Sequence, residues 1–127
     1  MAQPHDSSRS VLVIDDDWRI RELVQLALEE SGLSVRTAAD GVSAIALMRA
    51  ERPAAIVLDL SLPGADGFVV AKAVREVHGQ DIPILLVTAD SNAHATADAI
   101  GASGYLGKPF DIDELTQLVE QALSRPD

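Results

Sequence analysis

The chain contains no cysteine. This excludes a disulfide framework, a thiolate metal site and a cysteine nucleophile, and it agrees with a reducing cytoplasm. Basic residues are also few: 10 Lys and Arg stand against 20 Asp and Glu, for a formal net charge of −10. Binding the nucleic-acid backbone needs clustered Lys and Arg, so no direct nucleic-acid contact is expected, and any DNA-directed output belongs to another domain or chain. No apolar run approaches the roughly 20 residues that span a bilayer. The start, Met1 to Ser10, is polar rather than signal-like, so no membrane association is expected and the location reads as cytoplasmic. Aromatics make up only 3% of a chain that is 47% hydrophobic. Its core must therefore be built from Val, Leu, Ile and Ala, which suits helices packed closely on a sheet.

At 127 residues the chain has room for one domain with a substantial core. The polar opening predicts a disordered arm over 1–10, a domain over 11–123 and a frayed tail over 124–127. The untagged Met1 start suggests a native amino terminus. Within the domain, five short apolar runs read as strands: Val11 to Ile14, Leu33 to Thr37, Ala55 to Leu58, Ile82 to Val87 and Gly104 to Leu106. Unbroken hydrophobicity in the first, third and fourth predicts cover on both faces, as in a parallel sheet between helix layers.

Ile20, Leu23, Val24, Ala27 and Leu28 recur at helical spacing and predict one buried stripe, with Gly32 at the helix stop. Further helices are expected over Gly41 to Ala50, Gly67 to Val77 and Asp111 to Leu123, the last with a capping-box-like Asp111 and Glu114. Between Thr88 and Gly101 large apolar residues are scarce, which predicts a short or mobile fourth helix. The alternation predicts an α/β, doubly wound, five-stranded parallel sheet in the flavodoxin-like order 2-1-3-4-5, with its site at the carboxyl ends of the strands.

Those strand ends carry Asp15 and Asp16 after the first strand, Asp59 after the third, Thr88 after the fourth and Lys108 just beyond the fifth. Three converging carboxylates repel one another unless a cation neutralises them, and Mg²⁺ suits a site of carboxylates, waters and a phosphate. A carboxylate nucleophile can form an acyl phosphate, and it needs no general base because it is already ionised at neutral pH. Lys108 would neutralise phosphoryl oxygens as a point charge, and Thr88 would donate a hydroxyl hydrogen bond. A single aspartate after a strand more often caps the next helix, which is the reading adopted for Asp17.

With those residues in view, the chain resembles the receiver domains of two-component response regulators. The resemblance rests on Val-Leu-Val-Ile-Asp-Asp-Asp (11 to 17), Val-Leu-Asp-Leu-Ser-Leu-Pro-Gly-Ala-Asp-Gly (57 to 67), Val-Thr-Ala (87 to 89) and Gly-Ala-Ser-Gly-Tyr-Leu-Gly-Lys-Pro-Phe (101 to 110). It implies a phosphorylation-dependent switch with Asp59 as phosphoacceptor. Mg²⁺ would be held by Asp16, Asp59 and the Ser61 backbone carbonyl, with Asp15 completing the pocket. Thr88, the Ala89 amide and Lys108 would meet the phosphate, Tyr105 would turn inward with the threonine, and the bond before Pro109 would be cis.

The resemblance also implies the partners: a sensor histidine kinase or histidine phosphotransfer protein as phosphohistidine donor, and an output protein or domain. A phosphorylation-linked homodimer fits the same pattern. The domain would not be an enzyme acting on separate substrates, but a phosphoacceptor that catalyses its own phosphoryl transfer and dephosphorylation.

Ser61 and Asp90 occupy positions that tune phosphoryl lifetime in this family, and their small and acidic character points to a short-lived phosphoryl group. Thr88 and Tyr105 stand 17 positions apart, fewer than the family pattern gives. The shortfall falls in the weak fourth helix, so segment 90–100 is expected to be mobile without phosphate and to order on activation.

Two alternatives stay open: a small phosphatase using an aspartate after the first strand, and a degenerate receiver acting as a constitutive interaction module. Arg19 fits the first poorly, and the retained acids, threonine and lysine disfavour the second. Trp18 is expected to pack at the first helix start. His5, His78 and His94 share no spacing and receive no metal role. Gly101, Gly104 and Gly107 read as turn and packing residues rather than a dinucleotide loop.

Overall fold

The computed structural model describes residues 9–60, 67–89 and 93–124. Along the chain these form β1 (Ser10–Ile14), α1 (Trp18–Glu30), β2 (Ser34–Ala38), α2 (Gly41–Ala50), β3 (Ala55–Asp59), α3 (Gly67–His78), β4 (Ile84–Thr88), α4 (Ala93–Ile100), β5 (Gly104–Gly107) and α5 (Ile112–Ser124). The strands make one parallel sheet in the order β2-β1-β3-β4-β5.

The reason for the two-sided sheet is visible in the central strands. Every residue of β1, β3 and β4 is buried, and because side chains alternate along a strand, each strand feeds two cores. Leu12, Ile14, Ile56, Leu58, Ile84 and Leu86 pack on one face with Met48 of α2, Val70 and Val74 of α3 and Ala97 of α4. Val11, Val13, Val57, Leu85 and Val87 pack on the other with Val24 and Leu28 of α1 and Leu115 and Val119 of α5. The helix layers are therefore α2, α3 and α4 against α1 and α5. Among the described residues β5 pairs only with β4, so it forms one edge of the sheet.

Several boundaries differ from the sequence reading. β1 begins one residue earlier than read, at Ser10, which is buried. Leu33 lies before β2, and Ile82 is buried although β4 begins only after Pro83. Asp111 precedes α5, where its carboxylate accepts the Asp113 N–H at 2.8 Å, and Ser124 belongs to that helix. The α1 stripe is narrower than expected: Val24 and Leu28 are buried, but Leu23 is 50% exposed. Residues four apart stay nearly in line, whereas a position three along is rotated to the stripe's edge.

Gly32, with φ of 89°, ends α1: its N–H donates to Glu29 O, and the Leu33 N–H donates to Leu28 O. This left-handed helix stop is one that glycine adopts without strain. At the other end Asp17 is the N-cap, accepting the Arg19 N–H at 2.9 Å. Asp40 does the same for α2 through Ser43 at 2.7 Å. Arg75 of α3 ties two loops together by donating to Ile82 O at 2.8 Å and to Gly101 O at 3.0 Å.

Candidate functional site

The sheet delivers its polar residues to one rim because each apolar strand stops there. Asp15 follows Ile14, Asp59 and Thr88 are the last residues of β3 and β4, and Lys108 follows Gly107. The pairing fixes their relative height: Asp59 stands opposite Val87, and Thr88 stands opposite Gly107. Lys108 is bound to the same edge by its backbone N–H, which donates to Thr88 O at 2.8 Å.

Asp15 and Asp59 retain only 3% and 2% of their surface, and Thr88 is equally buried, while Asp16 is exposed. The Lys108 ammonium bridges the two buried acids, 3.0 Å from Asp15 Oδ2 and 3.1 Å from Asp59 Oδ2. One carboxylate oxygen from each of Asp15, Asp16 and Asp59 lies within 4.8 Å of the others.

Burial pushes the Asp15 carboxyl above its usual value of 3.8. The Asp17 amide and Lys108 pull it down without offsetting that rise, and the charge of Asp59 adds to it. Burial pulls the Lys108 ammonium down, but hydrogen bonds to Asp15 and Asp59 outweigh it, so it stays above its usual 10.5 and remains charged at neutral pH. One ammonium among three carboxylates leaves an excess of negative charge and a set of hard oxygen donors. That chemistry fits a small divalent cation such as Mg²⁺.

The loop carrying two of the acids, residues 15–17, is tied down at several points. The Asp15 N–H donates to Ala38 O at 3.1 Å, and the Asp17 N–H donates to Asp15 Oδ1 at 2.9 Å. Arg21, which sequence reasoning did not single out, donates from Nη1 to Asp15 O at 2.9 Å. After Asp59 the chain passes very close to Gly67. A β-carbon there would meet the Leu60 Cα at 2.9 Å and Asp59 O at 3.4 Å, so the residue opening α3 has no room for a side chain.

Around this centre, Ala89 is exposed directly after Thr88. Tyr105 is 41% exposed, its ring 5.7 Å from that of His94. This His94 contact was also not legible in advance. The Lys108–Pro109 bond is cis. Ser61, Asp90 and His5 lie outside the described residues. His78 Nε2 sits 3.0 Å from Met48 O, and among the described residues the acidic trio is the group able to hold a metal. Trp18 does not pack as expected: it is 61% exposed at the first position of α1, ahead of the buried stripe.

The model of the response regulator receiver domain matches residues 11–120. Response regulator MprA of Mycobacterium avium (strain 104) is 42% identical over 118 residues, which cover 91% of this chain and 51% of MprA. The chain thus spans about half the length of the curated relatives of that name.

Among solved structures, the Francisella response regulator 1452 receiver domain superposes with a TM-score of 0.84 at 31% identity, covering 92% of this chain and 98% of that one. Vibrio cholerae chemotaxis protein CheY4 gives 0.81 at 34% identity, with 89% and 97% covered. On motif, fold and site together, this chain belongs to the response regulator receiver domain family.

Proposed function

We propose that this domain is a switch thrown by transfer of a phosphoryl group to Asp59. The observation that carries the reading is the placement of the Lys108 ammonium between Asp59 and Asp15, with Asp16 closing an oxygen-rich pocket on the same rim. The donor is a phosphohistidine on a sensor kinase or phosphotransfer protein. An Asp59 carboxylate oxygen forms the new O–P bond as the P–N bond to the donor imidazole breaks, and the electron pair leaves with the imidazole nitrogen. Mg²⁺, when bound by Asp16, Asp59 and the Ser61 carbonyl with Asp15 nearby, supplies neutralisation of the phosphoryl oxygens.

Lys108 holds its proton throughout and pairs with a phosphoryl oxygen. The Thr88 hydroxyl and the Ala89 amide donate to the others. Displacement of Thr88 toward the phosphate leaves space for Tyr105 to turn inward, which remodels the surface read by an output protein or domain. The domain promotes its own phosphorylation and hydrolysis, and the small Ser61 and acidic Asp90 keep the phosphoryl group short-lived. It acts in the cytoplasm.

The test is incubation of the full chain with Mg²⁺ and a small acyl-phosphate donor, read by intact mass. Wild type gains one phosphoryl group and Asp59→Asn gains none. Labelling of Asp59→Asn equal to wild type, or label mapped to Asp15, overturns the assignment.

A further inference from the structure

We propose that Arg21 is a positioning residue for the acidic pocket: by holding the Asp15 carbonyl it aims Asp16 and so sets the pocket's affinity for a divalent cation. The inference rests on the cation-dependent function proposed above.

Arg21 holds one particular peptide unit. The carbonyl of Asp15 belongs to the peptide unit joining Asp15 to Asp16, so its orientation is coupled to the ψ of Asp15 and the φ of Asp16. Rotation of that unit swings the exposed Asp16 side chain toward or away from the other two acids. The Asp15 side chain is fixed independently, by the Asp17 N–H at 2.9 Å and Lys108 at 3.0 Å. The Asp15 N–H is fixed on Ala38 O at 3.1 Å.

Arg21 supplies the constraint on the other side of the residue. Its guanidinium donates to Asp15 O at 2.9 Å, and its backbone N–H donates to Asp17 O at 3.0 Å. One helical residue thereby grips the loop on either side of Asp16. A charge-assisted hydrogen bond of this kind is stronger than one between neutral groups. Arg21 is partly buried, so water does not compete freely for the bond.

Positioning and simple electrostatics make opposite predictions. A fixed positive charge near the pocket repels a cation, so if charge were all that mattered, its removal would tighten binding. If Arg21 positions Asp16, its removal weakens binding, and groups that orient metal ligands typically contribute about 10- to 100-fold in affinity.

The experiment titrates Mg²⁺ into the metal-free full 127-residue chain and follows the fluorescence of Trp18, the sole tryptophan, which is exposed next to the acidic loop. Arg21→Met, Arg21→Gln and Arg21→Lys are compared, using only variants whose circular dichroism matches wild type. Loss of affinity by about 10-fold or more in Arg21→Met or Arg21→Gln, with substantial recovery in Arg21→Lys, is the expected result. Unchanged or tighter binding in the folded neutral variants overturns the positioning role while leaving the proposed function standing. Absence of saturable Mg²⁺ binding in wild type overturns both.

Discussion

Lys108 and Asp59, 49 residues apart in sequence, meet as a hydrogen-bonded ion pair of 3.1 Å at the ends of two strands that are not paired with each other. β4 lies between them, so the pair couples the sheet's edge to its centre. Removing the ammonium leaves Asp15 and Asp59 buried without their shared cation. Losing one partner of a buried pair costs several kcal/mol, but the Lys108 side chain is 21% exposed, so screening reduces the effect. Lys108→Met is expected to lower stability by about 1–3 kcal/mol in metal-free urea unfolding. Added Mg²⁺ should recover part of that loss.

Stability should depend on pH in opposite senses at two kinds of aspartate. Asp17 and Asp40, as helix caps, are held below 3.8 chiefly by the backbone amides of Arg19 and Ser43. Their contribution is present above 3.8 and is lost as pH falls through their folded values. Asp15 is raised by burial, so its penalty appears as pH rises from 3.8 through its folded value. Asp15→Asn is therefore expected to be more stable than wild type at neutral pH without Mg²⁺, with the difference vanishing below 3.8. Urea midpoints measured across that range check it.

Gly67 should not tolerate a side chain. An added β-carbon would lie 2.8 Å from Leu60 Cδ2 and 2.9 Å from Leu60 Cα, and only the first of these atoms can move cheaply. Gly67→Ala is expected to cost about 1–3 kcal/mol, the usual range for overpacking. It should also slow acyl-phosphate labelling, because Leu60 directly follows Asp59. Denaturant unfolding and the mass assay read the two effects separately.

The ring contact between His94 and Tyr105 predicts a local rather than a global effect. Both side chains are exposed, so His94→Ala should change stability by less than about 0.5 kcal/mol. The ring resonances of Tyr105, the only tyrosine, should nevertheless shift. With Mg²⁺ and a phosphoryl mimic, more of the variant than of wild type should place Tyr105 inward, since the outward ring has lost its neighbour.

α4 is anchored thinly. Of residues 94–100 only Ala97 is buried, whereas α3 buries Val70, Ala71, Ala73 and Val74. Few buried apolar contacts mean a small cost of local opening. Amide exchange in α4 is expected to be faster than in α3 and to slow with a phosphoryl mimic. Slow exchange in α4 that the mimic leaves unchanged would contradict this.

What could be read from the sequence was what depends on local pattern. Continuous apolar runs located β1, β3 and β4, and the polar residues at their ends followed directly, so Asp15, Asp59 and Thr88 were found by counting along strands. Lys108 needed the sheet order as well, because it lies beyond a short edge strand. Arg21 on Asp15 O and Arg75 on Gly101 O were not legible. Each depends on a long side chain reaching a carbonyl, and neither residue type nor spacing marks that. The exposure of Leu23 and Trp18 depends on how far α1 is rotated over the sheet, which periodicity leaves open by a fraction of a turn.

The edge position of β5 makes the pocket mechanically uneven. Its acids are rooted in strands with neighbours on both sides, while its ammonium is carried past the end of a strand paired on one side only. Fraying of β5 would withdraw the cation like a hinged jaw while the acidic floor stayed in place. An acyl phosphate on that floor would meet water whenever the jaw swung away. Under the proposed phosphorylation of Asp59, opening of this four-residue strand would add a second limit on phosphoryl lifetime beside Ser61 and Asp90.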